Sequence, residues 1–219
     1  MTDNTVQTCP QARMSGDERY AQLLRIAIKL FSEKGFSGTT TKEIANEAGI
    51  SEAMVFRHFS NKDDLYNSIL DYKAYNHGKV VLPWENEEMR ILKEKKDDYG
   101  FFFHLAFTVL ENHEKDYEFL RLLLHSALEG HKLSEMVFDN FVSKLYEFVG
   151  DYLRVRQEEG EMLNIEPNII IRAFLGMLMH HSLNNLLWDK SRRLLDITTE
   201  QAAHHFASIL LNGIVLKKS

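Results

Sequence analysis

From Asp17 to Lys73 apolar residues recur at three- and four-residue spacing in runs separated by turn signals, the layout of a helix-turn-helix. Leu23, Leu24, Ala27, Leu30 and Phe31 form the buried stripe of a first helix, with Arg19, Arg25, Lys29 and Glu33 on its wet side. Lys34 suits the negative end of that helix, and Gly35 supplies the left-handed stop beyond it. Thr40 and Glu43 have the spacing of a capping box, so a short second helix starts there and buries Ile44, Ala45 and Ala48. Ala48-Gly49-Ile50-Ser51 then predicts a sharp corner, an apolar plug and a serine N-cap for a third helix over Glu52–Phe59. Val55 and Phe59 turn to its core, which leaves Glu52, Ala53, Phe56 and Arg57 to an outside partner. Ser60 with Asp63 predicts the cap of a fourth helix, whose stripe runs through Leu65, Ile69 and Tyr72 towards Tyr75.

After Val80 the pattern stays helical and carries no strand signal. Pro83 breaks the fourth helix, and 87–96 is polar enough for a solvated helix. Phe101, Phe102, Phe103, Leu105, Phe107 and Leu110 make 99–110 apolar almost all round, as in a helix buried in a bundle or lining a cavity. Amphipathic helices follow over 117–128 and 133–155, the latter stopped by Gly160, and Glu166-Pro167 starts another. Ile170, Ala173, Phe174, Met177, His180, His181, Asn184 and Trp188 share one face of that helix. Ala203, Phe206, Ile209, Leu210, Gly213 and Ile214 share one face of the last. The fold class is therefore all-α: an N-terminal three-helix head and a C-terminal bundle. The expected division is a disordered tail (1–16), a helix-turn-helix domain (17–60), a linker helix (61–78) and a helical bundle (79–219).

Composition adds limits. A chain of 219 residues with 44% hydrophobic and 26% charged residues has the make-up of a globular protein with a real core. A formal charge of −6 excludes a generally basic coat. Within 17–73, eight bases oppose nine acids, a net of −1, so any affinity for nucleic acid depends on where the charges fall. Cys9, the one cysteine, allows no internal disulfide and fits a reducing cytoplasm. With neither a signal sequence nor a run of about 20 apolar residues, no membrane partner is expected. His180-His181 and His204-His205 point in diverging directions on a helix, so no metal is expected. No nucleophile-base pair or phosphate loop argues for an enzyme, and no cofactor is implied.

The run Leu24-Arg-Ile-Ala-Ile-Lys-Leu-Phe31, then Gly35-Phe36, Thr39-Thr-Thr-Lys-Glu-Ile-Ala-Asn-Glu-Ala-Gly-Ile50, Val55-Phe-Arg-His-Phe59 and Lys62-Asp-Asp-Leu65 resembles the DNA-binding domain of the tetracycline repressor (TetR) family. The resemblance implies that the third helix enters the major groove of a double-stranded operator, with Ser51, Glu52, Ala53, Met54, Phe56, Arg57 and His58 at or near DNA. It also implies phosphate contacts from Thr40, Thr41, Lys42 and Lys62. The family usually has tyrosine at the position of Phe56, and a phenyl ring cannot donate a hydrogen bond to phosphate. Each assignment has a plain structural alternative: Thr40 and Ser51 as caps, His58 as a packed histidine, Arg57 and Lys62 as solvated charges. Glu52 either accepts from cytosine N4 or supplies negative charge to the first helical turn.

The same resemblance implies a homodimer through the last two helices and a small apolar effector within the bundle, with Phe102, Phe103, His104, Phe107, His125, Phe141, Phe174 and Met177 as lining. The expected function is a ligand-responsive homodimeric repressor of a palindromic operator, in the cytoplasm. The competing reading is a helical small-molecule-binding or adaptor protein without specific DNA binding.

Overall fold

The computed structural model describes residues 14–73 and 82–216. Cys9 with the tail before Met14, Tyr75 with the end of the expected linker helix, and Val80 lie outside the described residues. Among the described residues every regular element is a helix, apart from one isolated antiparallel bridge between Met162 and Val215.

Helix α1 (Gly16–Lys34) begins inside the expected tail, because Ser15 and Glu18 cap each other reciprocally. Helices α2 (Thr41–Glu47), α3 (Glu52–Val55) and α4 (Lys62–Asp71) follow. Their apolar faces form one core: Leu23, Leu24 and Phe31 of α1, Ile44 of α2, Val55 of α3 and Leu65, Tyr66 and Ile69 of α4 are all buried. The predicted third helix is shorter than expected. After Val55 the amides of Arg57 and His58 reach back only three residues, to Met54 and Val55, and this tightened turn drops Phe59 into the core. Ser51 sits at the N-cap without a side-chain capping bond. The cap of α4 is shifted by one residue: Asn61 accepts the Asp64 N–H at 2.8 Å, and Asp64 in turn accepts from Ser60 N–H at 2.7 Å.

A 3-10 turn at Pro83–Glu85 leads to α5 (Glu87–Lys95), which buries only Met89. Helices α6 (Asp98–Lys115) and α7 (Tyr117–Glu129) come next. The single helix expected over 133–155 is α8 (Lys132–Val137) and α9 (Ser143–Glu158), joined by a π-helical turn over Phe138–Val142. The widened turn frees carbonyls, which the Asn140 amide (to Met136 O, 2.8 Å) and the Ser143 hydroxyl (to Asp139 O, 2.7 Å) satisfy. Helix α10 (Pro167–Leu183), a second π-helical turn (Asn184–Trp188) and α11 (Thr199–Ile214) complete the bundle.

The bundle core joins Phe101, Phe102 and Leu105 of α6 to Leu153 of α9, Phe174 and Leu178 of α10, and Ala203 and Ala207 of α11. One end is pinned by Asp98, which accepts the Arg156 Nε–H at 2.8 Å, its Nη2–H at 3.0 Å and the Tyr152 hydroxyl at 2.5 Å. That hydrogen bond from the guanidinium to Asp98 holds Arg156 firmly protonated. At the other end His113 of α6 bonds Ser182 of α10, Nδ1 to Oγ at 2.9 Å. Burial pushes the His113 imidazole down to about 4.

The reading head joins the bundle through a second seam. Leu122 of α7 and Leu133 of α8 lie in the core of the head, fully buried with α1 and α4. At Gly35 the backbone has φ 72° and ψ 176°, a region open only to glycine, and a methyl group there would overlap the Glu129 carboxylate. Glu129 Oε2 accepts the Phe36 N–H at 3.0 Å.

Two outcomes are expected. Gly35→Ala should lower unfolding free energy by about 1–3 kcal/mol from strain and should also loosen the head-to-bundle seam, seen as faster amide exchange at Phe36. The second concerns pH. The unfolded His113 titrates near 6.5 and the folded one near 4, so the unfolded chain takes up the proton first. Its contribution is complete above pH 6.5, falls as pH drops towards 4, and amounts to at most roughly 3 kcal/mol. Chemical denaturation at stepped pH should show this slope in the wild-type chain and a flatter one in His113→Gln.

Candidate nucleic-acid interface

The corner between α2 and α3 is built by Gly49, at φ 67°, with the Ile50 N–H bonded to Ala45 O at 3.0 Å. Thr40 caps α2: its hydroxyl oxygen accepts the Glu43 N–H at 3.2 Å, while the Glu43 carboxylate accepts the Thr40 N–H at 2.8 Å. Glu43 is further bound by Lys34 at 2.8 Å, and these bonds, Lys34 first, hold its carboxyl down at about 2. Lys29 pairs with Glu47 at 3.3 Å. Two acids of α2 are thus matched by bases of α1, on the side away from α3.

The outer face of α3 carries the expected reading residues. Ser51, Ala53, Phe56 and Arg57 are exposed; Glu52, Met54 and His58 are half-buried. Phe56, 46% exposed, stands clear of the core that holds its neighbours Val55 and Phe59. Glu52 accepts the Thr41 hydroxyl at 2.5 Å, tying the start of α3 to the start of α2. The carboxylate also stands in the first turn of α3, at the positive end of the helix. Its partner is therefore Thr41, and Thr41 is correspondingly engaged. His58 lies 6.4 Å from the Tyr20 and Phe59 rings, at the edge of a stack in which Tyr20 covers Phe59 at 4.9 Å.

Three cations surround this face. Lys42 and Arg57 are exposed and form no ion pair among the described residues; the Arg57 guanidinium reaches only the Met54 sulfur, at 4.0 Å. Lys62, in the first turn of α4, rests its ammonium 4.0 Å above the Phe36 ring. Their acidic neighbours are occupied: Asp64 accepts from Ser60, and Asp63 lies 3.5 Å from His131. The near-zero charge of the head conceals a local arrangement in which bases without ion pairs flank the reading turn, while the nearby Glu43, Glu47, Glu52, Asp63 and Asp64 each have a partner within the chain.

The eight residues expected to line an effector pocket are spread over both cores. Phe102 and Phe174 are packed edge to face at 5.3 Å in the bundle core, with Phe103, Phe107 and Met177 half-buried against it. His104 meets Glu88 at 3.5 Å and Asn86 at 3.4 Å. Phe141 packs against the core of the reading head, and His125 stands beside Gly35 at the seam. A cavity of about 140 Å³ lies elsewhere, where α6, α10 and the approach to α11 meet. Sequence reasoning missed that cavity because its walls come from segments far apart in the chain. It also missed Phe36 and His131, whose rings sit 4.4 Å apart between head and bundle. The turn sequence Glu129-Gly130-His131 was the available signal.

Residues 23–69 match the family of bacterial regulatory proteins, tetR family. Over 194 residues, 88% of this chain and 95% of the relative, the sequence is 24% identical to the uncharacterized HTH-type transcriptional regulator YvkB of Bacillus subtilis. Over 99 residues, 42% of this chain and 47% of the relative, it is 32% identical to IcaR of Staphylococcus epidermidis, the negative transcriptional regulator of the biofilm operon icaADBC. In three dimensions it is similar to a transcriptional regulator of Saccharomonospora viridis solved in complex with choline, at 16% identity, covering 92% of this chain and all of that one with a TM-score of 0.67. No helix among the described residues is long and apolar enough to cross a membrane. The motif, the packed three-helix head and these likenesses agree: residues 23–69 form a DNA-binding domain of the tetR family of bacterial regulatory proteins, and the chain as a whole is similar to helix-turn-helix transcriptional regulators.

Proposed function

We propose that the protein is an effector-responsive repressor that binds a palindromic operator as a homodimer, acts by binding rather than catalysis, and works in the cytoplasm. Residues 17–60 read DNA, 61–78 link, and 79–219 dimerise and take the effector. The outer face of α3 carries the reading: Ala53 and Met54 approach base edges, Phe56 packs on a sugar or a thymine methyl, and Arg57 and His58 flank them. Ser51, Thr40, Thr41, Lys42 and Lys62 stand towards the phosphates. Glu52, already bonded to Thr41, braces the corner rather than reading cytosine.

The dimer is supported by a face that the chain leaves uncovered. The helical faces expected on α10 and α11 divide in two. Ile170, Phe174 and His181, with Ala203, Leu210 and Ile214, are buried within the chain. Ile169 (62% exposed), Trp188 (67%) and Ile209 (59%) face outward, with Ala173, Gly176 and Gly213 exposed between them. A Cβ built on Gly176 or Gly213 meets nothing within 4 Å, so another helix can approach closely. Pairing this face with itself gives a two-fold four-helix contact and sets two reading helices for two half-sites.

Three results are expected. Footprinting should show two protected half-sites about one helical turn apart. Trp188→Glu or Ile209→Glu should give folded monomers in analytical ultracentrifugation and should remove operator binding; a monomeric wild type at micromolar concentration would refute the dimer. In anisotropy titrations across salt, Lys62→Ala should weaken operator and random DNA alike and make the salt slope shallower by about one unit. Substitutions at Ala53 or Met54 should instead change base preference by about 1–3 kcal/mol at unchanged salt slope. A folded Lys62→Ala variant with unaltered affinity and slope would remove Lys62 from the interface.

A further inference from the structure

The cavity of about 140 Å³ has two kinds of wall. Leu110 of α6 and Leu186 of the second π-helical turn form the apolar side. The polar side begins with His113, whose Nδ1 is bonded to Ser182; its Nε2 has no partner among the described residues. Burial keeps the imidazoles of both His113 and the neighbouring His181 below their ordinary range, so each enters the site neutral.

The charges are supplied by a shaped segment. Arg192 has φ 51°, a left-handed conformation that side chains other than glycine rarely adopt. It is held there because the buried Asp189 carboxylate accepts the N–H groups of Arg193 at 2.8 Å and Leu194 at 2.7 Å. The turn aims the Arg192 guanidinium at Glu114, 2.7 Å away, and at Ile197 O, 3.1 Å away. Glu114 also accepts the Thr199 hydroxyl at 2.5 Å, so both its oxygens are engaged. Lys190 lines the cavity and has no partner among the described residues. With Lys190 and Arg192 against Glu114, the wall carries a net charge of +1.

A net positive wall, a neutral imidazole, a hydroxyl and an apolar side select one negative charge on a short carbon chain. The volume holds roughly five water-sized groups at about 30 Å³ each. We propose that this cavity binds a short-chain monocarboxylate of roughly three or four carbons, with Lys190 as counter-charge, the His113 Nε2–H as hydrogen-bond donor while the Ser182 hydroxyl donates to Nδ1, and the chain against Leu110 and Leu186. The site is separate from the aromatic cluster around Phe102 and Phe174. Its regulatory half rests on the reading of the chain as an effector-responsive repressor. Glu114 stands in the last turn of α6, two residues before Asp116, which pairs with Lys73 beyond the end of α4. The π-helical turn that presents Leu186 to the cavity presents Trp188 to the proposed dimer face. Occupancy therefore acts on both the linker and the dimer contact.

Calorimetric titration of the full chain without DNA, using sodium propionate and butyrate as probes, tests the site. Butyrate should bind at least tenfold tighter than its neutral amide, and choline should not compete. Lys190→Ala should weaken butyrate at least tenfold. Leu186→Trp, which fills the cavity, should abolish binding while helical content and oligomer mass stay as in the wild type. Equal affinity for acid and amide, preference for choline, or butyrate binding untouched by both substitutions would overturn the proposal. Operator anisotropy with and without butyrate reads the regulatory half separately: release of DNA supports it, and unchanged affinity despite proven binding overturns that half alone.

Discussion

Glu129 receives the Phe36 N–H across a seam in which head and bundle share one apolar core, and the geometry of the reading face depends on that seam. Leu122 and Leu133 enter the core of the head from the bundle side, so α1 cannot reorient without exposing them. Around them Phe36, Tyr66 and His131 form a ring cluster, with centroid distances of 4.4 to 5.1 Å. The Lys62 ammonium lies on the outer face of Phe36. A base proposed to meet phosphate is thereby positioned by the same aromatic group that locks head to bundle. The glycine before Phe36 makes this possible, since a side chain there would displace Glu129.

Charge in the head follows from that packing. A nearly neutral domain binds a polyanion best where the acids beside the contacting face have partners of their own, and around α3 they do. Glu43 and Glu47 pair with α1, Glu52 with Thr41, Asp64 with Ser60 and Asp63 with His131. Lys42 and Arg57 remain without such partners among the described residues. Unpaired bases therefore stand beside α3 although the charges of the head nearly cancel.

In the bundle, the division of α10 and α11 into an inner and an outer face decides how a second chain and a small molecule can be accommodated together. The inner face is filled by Phe174, Leu178, Ala203 and Ala207, packed into the bundle core. The cavity beside His113 lies where regular helix gives way to the π-helical turn and to the segment containing Arg192. Irregular backbone supplies polar groups and spare volume together, so the cavity has a polar wall where the neighbouring core has none.

Local chemistry was legible along the chain. The capping box at Thr40, the corner at Gly49, the buried stripe of α1 and the motif of the head all depend on spacings of three or four residues, and they stand in the structure as read. Where neighbouring signals competed, spacing alone misled: Ser60 lost the cap of α4 to Asn61, and α3 ended at Val55 because Phe59 had to reach the core. The pairing of Glu52 with Thr41, the Glu129 seam and the cavity beside Arg192 join residues from eleven to more than ninety positions apart. No periodicity encodes such distances. Helical faces tell which residues seek burial, but only packing selects the partner, and so the outward stripe of Ile169, Trp188 and Ile209 separated from its inward neighbours only in three dimensions.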